Sequence, residues 1–230
     1  MKSKLAIFGA STTARSIYKF VKDYDLYDII GFVQDKEYKT EDTYCDLPIY
    51  DFESLATVFN KETDYLFVAV QWNRLNADRK YHYYRLKEEG YRLANIISPT
   101  AVIHGTVKGD NCWICDYVVL GSDAEIGNNV LVMTKATLLH DVIVEDHCFL
   151  AAHSLAAGYT RIGEQSYIGV GSVIFDCVNI GKKCIIGGGV TIKRNVPDFT
   201  IVKTPNDFFV TKTYTENEIE NKMLASIMIR

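Results

Sequence analysis

The sequence lacks several features that would assign it to common protein classes. Within its 230 residues, no apolar run approaches the ~20 residues that a membrane-spanning helix needs. Positive charge is not in excess, since 25 Lys and Arg stand against 29 Asp and Glu, and the net charge of −4 argues against nucleic-acid binding. The N-terminal residues lead directly into a strand-like run and do not resemble a signal peptide. We therefore expect a soluble, cytoplasmic protein that binds neither nucleic acid nor membranes.

A repeat of six residues runs from Ile96 to Ile192. Seventeen positions follow this spacing, and fifteen of them are Ile, Leu or Val. The residue four places after each is Thr, Ser, Cys, Ala or Val. Because six is a multiple of two, both residues face the same side of an extended chain, whereas a helix needs a period of 3.6. The pattern predicts short strands between turns, with Val102 and Lys108 among the inward positions. An all-β sandwich would not hold a fixed period over so many units.

The six cysteines do not indicate disulfides or a metal site. Cys112, Cys148 and Cys184 are spaced 36 residues apart and all fall on the small inward position of the repeat. If that spacing is two coils of a stacked structure, their sulfur atoms lie roughly 10 Å apart, because strands stack at about 4.8 Å. This exceeds the reach of a disulfide. Buried, unreactive thiols are the better interpretation.

The residues before the repeat alternate between strand and helix patterns. Such alternation predicts a small parallel α/β sheet. The turn after the first strand, at Gly9, would present a ligand phosphate or base to a helix N-terminus. A complete Gly-x-Gly-x-x-Gly motif is absent, which argues against a nicotinamide dehydrogenase. The expected elements are strands at 4–10, 29–33, 64–70 and 91–97, helices at 12–23 and 76–89, a short helix that Asp51 caps and that runs to Phe59, and a terminating Gly90.

Together the two parts resemble the bacterial sugar acyltransferases. This family includes N-acetyltransferases of nucleotide-linked amino sugars and sialic acid O-acetyltransferases. The resemblance covers residues 4–210 and implies a Rossmann-like parallel sheet domain at 1–95 and a left-handed parallel β-helix of hexapeptide repeats at 96–196. Residues 197–230 would form an exit loop and a C-terminal helix that begins at a capping box, Thr215–Glu218. Where the family usually has Gly-Ala-Gly-Gly-His in its first turn, this chain has Gly9-Ala10-Ser11-Thr12-Thr13.

A histidine followed by an aspartate is the candidate catalytic pair. His140 lies two residues after the inward Leu138, so the spacing predicts an outward side chain at a corner. Histidine titrates near neutral pH and suits a general base, and Asp141 would orient the ring. From the residues alone, a solvated surface histidine is the favoured interpretation. The resemblance implies the catalytic role for His140 and Asp141.

The resemblance also implies the ligands and the remaining site residues. Acetyl-CoA would lie in a groove between two subunits of a homotrimer, and a nucleotide-linked amino sugar would bind the N-terminal domain. His147 is expected to be a solvated corner residue. The implied contacts for acetyl-CoA are His153, Gly158, Val170, Gly188 and Lys193, and those for the nucleotide sugar are Gly9, Ser11, Thr12, Thr13 and Asp35.

These features predict an acetyl-CoA-dependent N-acetyltransferase that acts on a nucleotide-linked amino sugar for surface polysaccharide biosynthesis. One alternative is a sugar O-acetyltransferase of the sialic acid type. A second is a metalloenzyme similar to the gamma-type carbonic anhydrases, because His104 and His140 are 36 residues apart. In that family the third ligand would fall at Glu145, with His147 two residues beyond, so we expect no metal. A third alternative is a non-catalytic scaffold, which would need no outward His-Asp pair.

Overall fold

The computed structural model describes residues 2–70 and 73–204. It contains an N-terminal α/β unit followed by a three-sided β-helix, which confirms the predicted fold class. In the part of the chain that the structure describes, no helix has the length and apolarity required to cross a bilayer. The capping box Thr215–Glu218 and the C-terminal helix predicted from it lie outside the described residues.

The N-terminal unit is a five-stranded sheet with helices on its faces. The strand order is β3-β4-β2-β1-β5, and all neighbours are parallel except the short edge strand β3, which pairs antiparallel with β4 and was not predicted. A strand at 91–97 was predicted wrongly, because only an isolated bridge joins Leu93 to Leu66. The elements are β1 Lys4–Phe8, α1 Thr12–Asp23, β2 Asp28–Gln34, a 3-10 helix Lys36–Tyr38, β3 Thr43–Tyr44, β4 Leu47–Asp51, a 3-10 helix Phe52–Thr57, β5 Tyr65–Val68 and α2 Asn73–Glu88.

Local sequence accounts for most of the helix boundaries. The Ser11 hydroxyl accepts a hydrogen bond from the Ala14 amide and so caps α1. Gly90 follows the C-terminus of α2 and has φ +80°, a conformation that favours glycine. Its amide donates a hydrogen bond to the Lys87 carbonyl in the last turn of the helix. Asp51 occupies the cap position of the second 3-10 helix but makes no side-chain capping bond, so this part of the prediction was wrong. Its carboxylate instead pairs with Lys39 at 3.1 Å.

The β-helix consists of two-residue parallel strands that form three flat sheets. Successive strands visit sheet I, sheet II and sheet III in turn, so each coil contributes one strand to each sheet. Sheet I contains β6 Ile96–Ile97, β9 Trp113–Ile114, β12 Leu131–Val132, β15 Phe149–Leu150, β18 Tyr167–Ile168, β21 Ile185–Ile186 and β23 Ile201–Val202. Sheet II contains β7 Val102–Ile103, β10 Val119–Leu120, β13 Thr137–Leu138, β16 Leu155–Ala156, β19 Val173–Ile174 and β22 Thr191–Ile192. Sheet III contains β8 Thr106–Val107, β11 Glu125–Ile126, β14 Ile143–Val144, β17 Arg161–Ile162 and β20 Asn179–Ile180.

The predicted inward register is wrong in the first coil, beginning with Ile96, because Ile97 and not Ile96 pairs with the inward Ile114. Leu120 pairs with Ile103, and Ile126 pairs with Val107, so Ile103 and Val107 occupy the inward side. Val102, which the six-residue count placed inward, is 46% exposed. Lys108, likewise counted as inward, is exposed. The two inward positions there are only four residues apart in place of six, and a one-residue slip moves every strand side chain to the opposite face.

The cysteine prediction is confirmed. Cys112, Cys148 and Cys184 are free thiols that lie fully buried in the β-helix core. Burial raises the pKa of Cys112 and of Cys148 to about 12, which leaves both as neutral thiols near pH 7. They act as small side chains at a position where the intervening coils have Val130 and Ser166.

The N-terminal unit packs on the outer face of sheet I. Trp113, Leu131 and Phe149 project outward from that sheet and share a core cluster with residues of β1 and α1. Arg79 of α2 is fully buried beside them. Its guanidinium donates hydrogen bonds to the carbonyls of Asn129, Asn111 and Val68, and burial lowers its pKa to about 9. The outer faces of sheets II and III are not covered by this unit.

Candidate functional site

His140 and Asp141 form the turn between β13 and β14, at the corner between sheets II and III. Asp141 takes the left-handed conformation, with φ +58°, that each such turn requires at its last residue. The His140 side chain is 55% exposed and that of Asp141 is 40% exposed. The pair therefore points away from the β-helix core, as the six-residue spacing predicts.

The two side chains form a hydrogen bond that fixes the orientation of the His140 ring. His140 Nδ1 lies 3.0 Å from Asp141 Oδ2. With a carboxylate accepting from Nδ1–H, the neutral ring carries its lone pair on Nε2. Nε2 is then the atom that can accept a proton from a ligand. This arrangement suits a general base.

Two residues from the next coil enclose the imidazole. Tyr159 meets the His140 ring edge-to-face, with ring centroids 5.1 Å apart. Gly158 lies beside the same ring, and a Cβ built there would be 2.6 Å from His140 Nε2 and 3.0 Å from Nδ1. The sequence analysis missed Tyr159, and it assigned Gly158 to acetyl-CoA. Gly158 and Tyr159 lie eighteen residues, or one coil, after His140 and Asp141. This spacing could have predicted that the two pairs are neighbours.

Three other residues expected to contact acetyl-CoA lie at a different corner, between sheets I and II. His153 is exposed and has φ +58°. Val170 is 56% exposed, and a Cβ at Gly188 would lie 3.2 Å from the Val170 carbonyl oxygen. Lys193 projects from the outer side of sheet II, with its Nζ 5.2 Å from the centroid of the Phe175 ring. The five expected contacts thus flank sheet II on one chain.

The expected phosphate turn is preserved in geometry. Gly9 has φ +112°, which favours glycine, and its amide donates to the Val33 carbonyl. Ser11 caps α1, so the helix N-terminus opens at this turn. A crevice of about 230 Å³ lies between the first turn of α1 and sheet I. Its lining residues are Thr12, Thr13, Ser16, Val70, Trp113, Leu131, Met133 and Phe149.

Asp35 lies in a separate pocket at the carboxyl end of β2. Its side chain is 9% exposed, and Arg85 Nη1 lies 2.7 Å from its Oδ1. The surrounding pocket, of about 700 Å³, also contains Tyr38, Tyr81 and His82. Burial lowers the pKa of His82, so this ring is neutral near pH 7. Nothing in the sequence pattern pointed to Arg85, because its pairing with Asp35 depends on how α2 packs.

A single chain does not bring the two groups of site residues together. Gly9, Ser11 and Asp35 belong to the unit on sheet I, whereas His140 and Asp141 lie at the corner between sheets II and III. Sheet I is opposite that corner in the triangular cross-section. A ligand held by the N-terminal unit therefore cannot reach His140 of the same chain without passing around the β-helix.

The prediction that His147 is solvated was wrong. His147 is 0% exposed, its Nδ1 lies 2.8 Å from Asn129 Nδ2, and its Nε2 lies 3.2 Å from the Tyr84 hydroxyl. It lies at the corner between sheets III and I, where α2 covers it. His104 and His140 lie along the corner between sheets II and III, so His147 cannot complete a metal site with them. In the described residues no cluster of three or more potential metal ligands occurs.

Family models match most of the chain in three segments. The PglD N-terminal domain matches residues 4–78. The bacterial transferase hexapeptide matches residues 123–157, and the hexapeptide repeat of succinyl-transferase matches residues 159–194.

Solved structures share the whole architecture. A perosamine N-acetyltransferase from Caulobacter crescentus, solved in complex with CoA and GDP-perosamine, is 25% identical with a TM-score of 0.75, covering 86% of this chain and 92% of that chain. The acetyltransferase domain of PglB from Neisseria gonorrhoeae is 23% identical with a TM-score of 0.74, covering 86% of this chain and 95% of that chain. At this identity the second likeness shows the fold alone.

Curated relatives match mainly the repeats. An acyl-(acyl-carrier-protein)–UDP-N-acetylglucosamine O-acyltransferase of Nautilia profundicola is 32% identical over 83 residues, which are 36% of this chain and 32% of the relative. The corresponding protein of Burkholderia orbicola is 30% identical over 129 residues, which are 51% of this chain and 42% of the relative. The match therefore spans well under half the length of either relative. The chain joins a segment similar to the PglD N-terminal domain to a left-handed β-helix with segments similar to bacterial transferase hexapeptide repeats, which confirms its resemblance to the bacterial sugar acyltransferases.

Proposed function

We propose that this protein transfers the acetyl group of acetyl-CoA to the amino group of a nucleotide-linked amino sugar, in the cytoplasm, for surface polysaccharide biosynthesis. The observation that carries the proposal is the outward His140, whose Nδ1 is held by Asp141 at a corner of a hexapeptide-repeat β-helix. A scaffold without catalytic function would not need an exposed, oriented imidazole at this corner.

The reaction follows from the free Nε2 of His140. As the sugar nitrogen attacks the thioester carbonyl carbon, Nε2 accepts the proton that the amine loses. The Asp141 carboxylate stabilises the imidazolium that forms. When the tetrahedral intermediate collapses, the carbon–sulfur bond breaks, and the imidazolium returns its proton to the CoA sulfur. The histidine therefore ends the cycle in its starting state, and the reaction requires no metal.

The acyl donor is assigned to the two corners that flank sheet II. In this proposal His153, Gly158, Val170 and Gly188 contact acetyl-CoA, and Lys193 faces its phosphates. The perosamine enzyme, with the same fold over 86% of this chain, was solved with CoA and GDP-perosamine, and some of its structures carry a substituted histidine. That likeness supports the donor and the class of acceptor.

The acceptor is assigned to the N-terminal unit. The phosphates would lie at the N-terminus of α1, because the free backbone N–H groups of a helix N-terminus bind anions. The residues at this site are Gly9, Ser11, Thr12 and Thr13. Asp35, held by Arg85, would accept a hydrogen bond from the nucleobase in its own pocket.

The separation of these sites supports the proposed homotrimer. The acceptor residues of one chain lie on sheet I, so a neighbouring chain must supply His140. The uncovered face of sheet II is apolar, whereas that of sheet III is charged. Outward side chains on sheet II include Val119, Leu155, Val173, Leu139 and Phe175, and those on sheet III include Glu125, Glu145 and Arg161. We infer a closed three-fold assembly in which the sheet II faces meet.

The first experiment combines a substrate screen with one substitution. Nucleotide-linked amino sugars are incubated with acetyl-CoA, and thiol release is measured. We expect release with at least one amino sugar, and His140→Asn should lower kcat by ~10²–10⁴-fold with little change in acetyl-CoA affinity, the usual range for a lost general base. Near-full kcat in His140→Asn, with chemistry rate-limiting, would contradict the assignment.

The main alternative is transfer to a sugar hydroxyl. His140 could deprotonate a hydroxyl as well as an amine, so the site does not exclude this acceptor. Testing matched sugars with an amino or a hydroxyl group at the same carbon separates the two reactions. Thiol release only with the hydroxyl sugar would replace N-acetylation by O-acetylation and keep the catalytic pair.

A further inference from the structure

We propose that Gly158 is a positioning residue for His140: its missing side chain leaves the space in which the imidazole lies, and Tyr159 holds the ring in that space. This inference rests on the proposed function, because it takes His140 as the base, and it gives Gly158 a role towards that base beyond the contact with acetyl-CoA proposed above.

The geometry leaves no room for a side chain at residue 158. Gly158 is one coil, eighteen residues, after His140, and it is buried. A Cβ built on Gly158 would lie 2.6 Å from His140 Nε2 and 3.0 Å from Nδ1, and closer still to Cε1. All three of these nearest atoms belong to the imidazole, so the closest clash is with the ring and not with the backbone. An alanine at 158 must therefore displace the ring of the proposed base.

Three contacts then define the position of the imidazole. The Asp141 carboxylate binds Nδ1, the Gly158 backbone lies against the ring, and Tyr159 packs edge-to-face on it at 5.1 Å. The backbone supports this arrangement, since the Tyr159 amide donates to the His140 carbonyl at 3.2 Å. Only 55% of the histidine side chain is exposed, although it lies at an outward corner. These contacts therefore fix the direction in which Nε2 points.

The conformation at residue 158 does not itself demand glycine. Its φ lies outside the left-handed range, unlike that of Gly171 or Gly189. The need for glycine therefore comes from the contact with His140. A substitution to alanine is compatible with the backbone of the turn and tests the contact without adding backbone strain.

The test is Gly158→Ala, measured for both rate and binding. We expect kcat to fall about 10²-fold, since a displacement of about 1 Å in a catalytic group has an effect of that size. Affinity for acetyl-CoA, measured by calorimetry, should change less than about twofold. Unchanged kcat would overturn the inference, as would a loss confined to acetyl-CoA affinity, which would return Gly158 to the donor site.

A double substitution distinguishes an effect of Gly158 on the position of His140 from an effect on the fold as a whole. If Gly158 acts only through His140, adding Gly158→Ala to His140→Asn should cause no further fall in kcat. An additional loss of about 10²-fold in that background would contradict the inference. If His140→Asn alone retains kcat, the proposed function fails instead, and the two failures are therefore distinguishable.

Matched controls address packing and the ring itself. Gly187→Ala adds a Cβ elsewhere in the β-helix, where the nearest atom is the Val202 carbonyl oxygen at 3.2 Å, and it should leave kcat within about twofold. Tyr159→Ala removes the edge-to-face ring and should lower kcat several-fold. Nitrogen chemical shifts of the His140 ring should report loss of the single tautomer in Gly158→Ala, even without substrate. An unchanged tautomer there would overturn the inference.

Discussion

At the residue scale, two histidines seven residues apart have opposite environments. His140 is exposed, and its Nδ1 is fixed by a carboxylate. His147 is enclosed by Asn129, Tyr84 and Tyr83, and burial lowers its pKa to about 4. Each side chain lies at a corner of the β-helix, and the difference arises because α2 covers only one of the two corners.

Asp141→Asn tests the orientation of the proposed base. An amide at 141 can donate to Nδ1 and so favour the tautomer that carries its proton on Nε2. We expect kcat to fall by ~10- to 10²-fold, less than for His140→Asn, because the imidazole remains present. Steady-state kinetics at saturating substrates measure this. Asp123→Asn, at the equivalent place one coil earlier, is the control and should keep full activity; equal losses in both variants would argue against a specific role for Asp141.

His147 predicts a pH dependence of stability. The folded state lowers its pKa from 6.5 to about 4, chiefly by burial, so between these values the unfolded state binds more protons. Its contribution is therefore fully present above pH 6.5 and is lost as the pH falls towards 4, by at most about 3 kcal/mol. Denaturant unfolding at pH 7 and pH 4.5 measures the change. His147→Gln, which places at this corner the residue type of Gln165, should show a smaller loss; an equal loss would exclude His147 as its source.

At the element scale, the first coil shows how turn length sets strand register. The turn between β7 and β8 has two residues and that between β8 and β9 has five, whereas the turns from β9 to β22 have four. Ile103 and Val107 therefore lie inside, although counting in sixes selects Val102 and Lys108. From Ile114 to Ile192 the six-residue period and the observed core agree. The six-residue pattern thus predicts the inward side chains correctly in the coils whose turns all have the same length.

Two neighbouring substitutions test this register. Ile103 packs against the β-helix core, whereas Val102 is 46% exposed. Ile103→Asp should lower the free energy of unfolding by about 2 kcal/mol or more, because it places an unpaired charge against the core. Val102→Asp should cost less than Ile103→Asp, because Val102 lies on the outer side of the same strand and does not pack against the β-helix core. Chemical denaturation compares them, and a larger loss in Val102→Asp would restore the six-residue register.

At the scale of the whole molecule, the placement of the N-terminal unit divides the proposed active site. The unit occupies sheet I, and Arg79 ties α2 to the neighbouring corner through backbone carbonyls. The proposed base lies on the far side of the β-helix. Catalysis in the proposed reaction therefore requires a second copy of the chain, and the apolar face of sheet II is the surface on which copies would meet.

Leu155→Asp tests that assembly. Leu155 lies at the middle of sheet II, between Thr137 and Val173. A carboxylate there should dissociate the trimer at micromolar concentration, because three unpaired charges would be buried together near the three-fold axis. Light scattering gives the mass, and kcat should fall with dissociation. Asn179→Asp on sheet III is the control and should stay trimeric. A wild-type monomer, or an intact Leu155→Asp trimer, would contradict the sheet II interface.

The sequence by itself determined the β-helix, the inward cysteines, the bounds of α1 and the outward direction of His140. These depend on side-chain periodicity and on local capping, and both can be recognised in a short stretch of sequence. Only the tertiary structure decided the burial of His147, the pairing of Asp35 with Arg85, the register of the first coil and the contact between Gly158 and His140. Each of these depends on which distant segment occupies the neighbouring space. Periodicity fixes the side from which a residue projects, but packing between segments fixes what that residue meets.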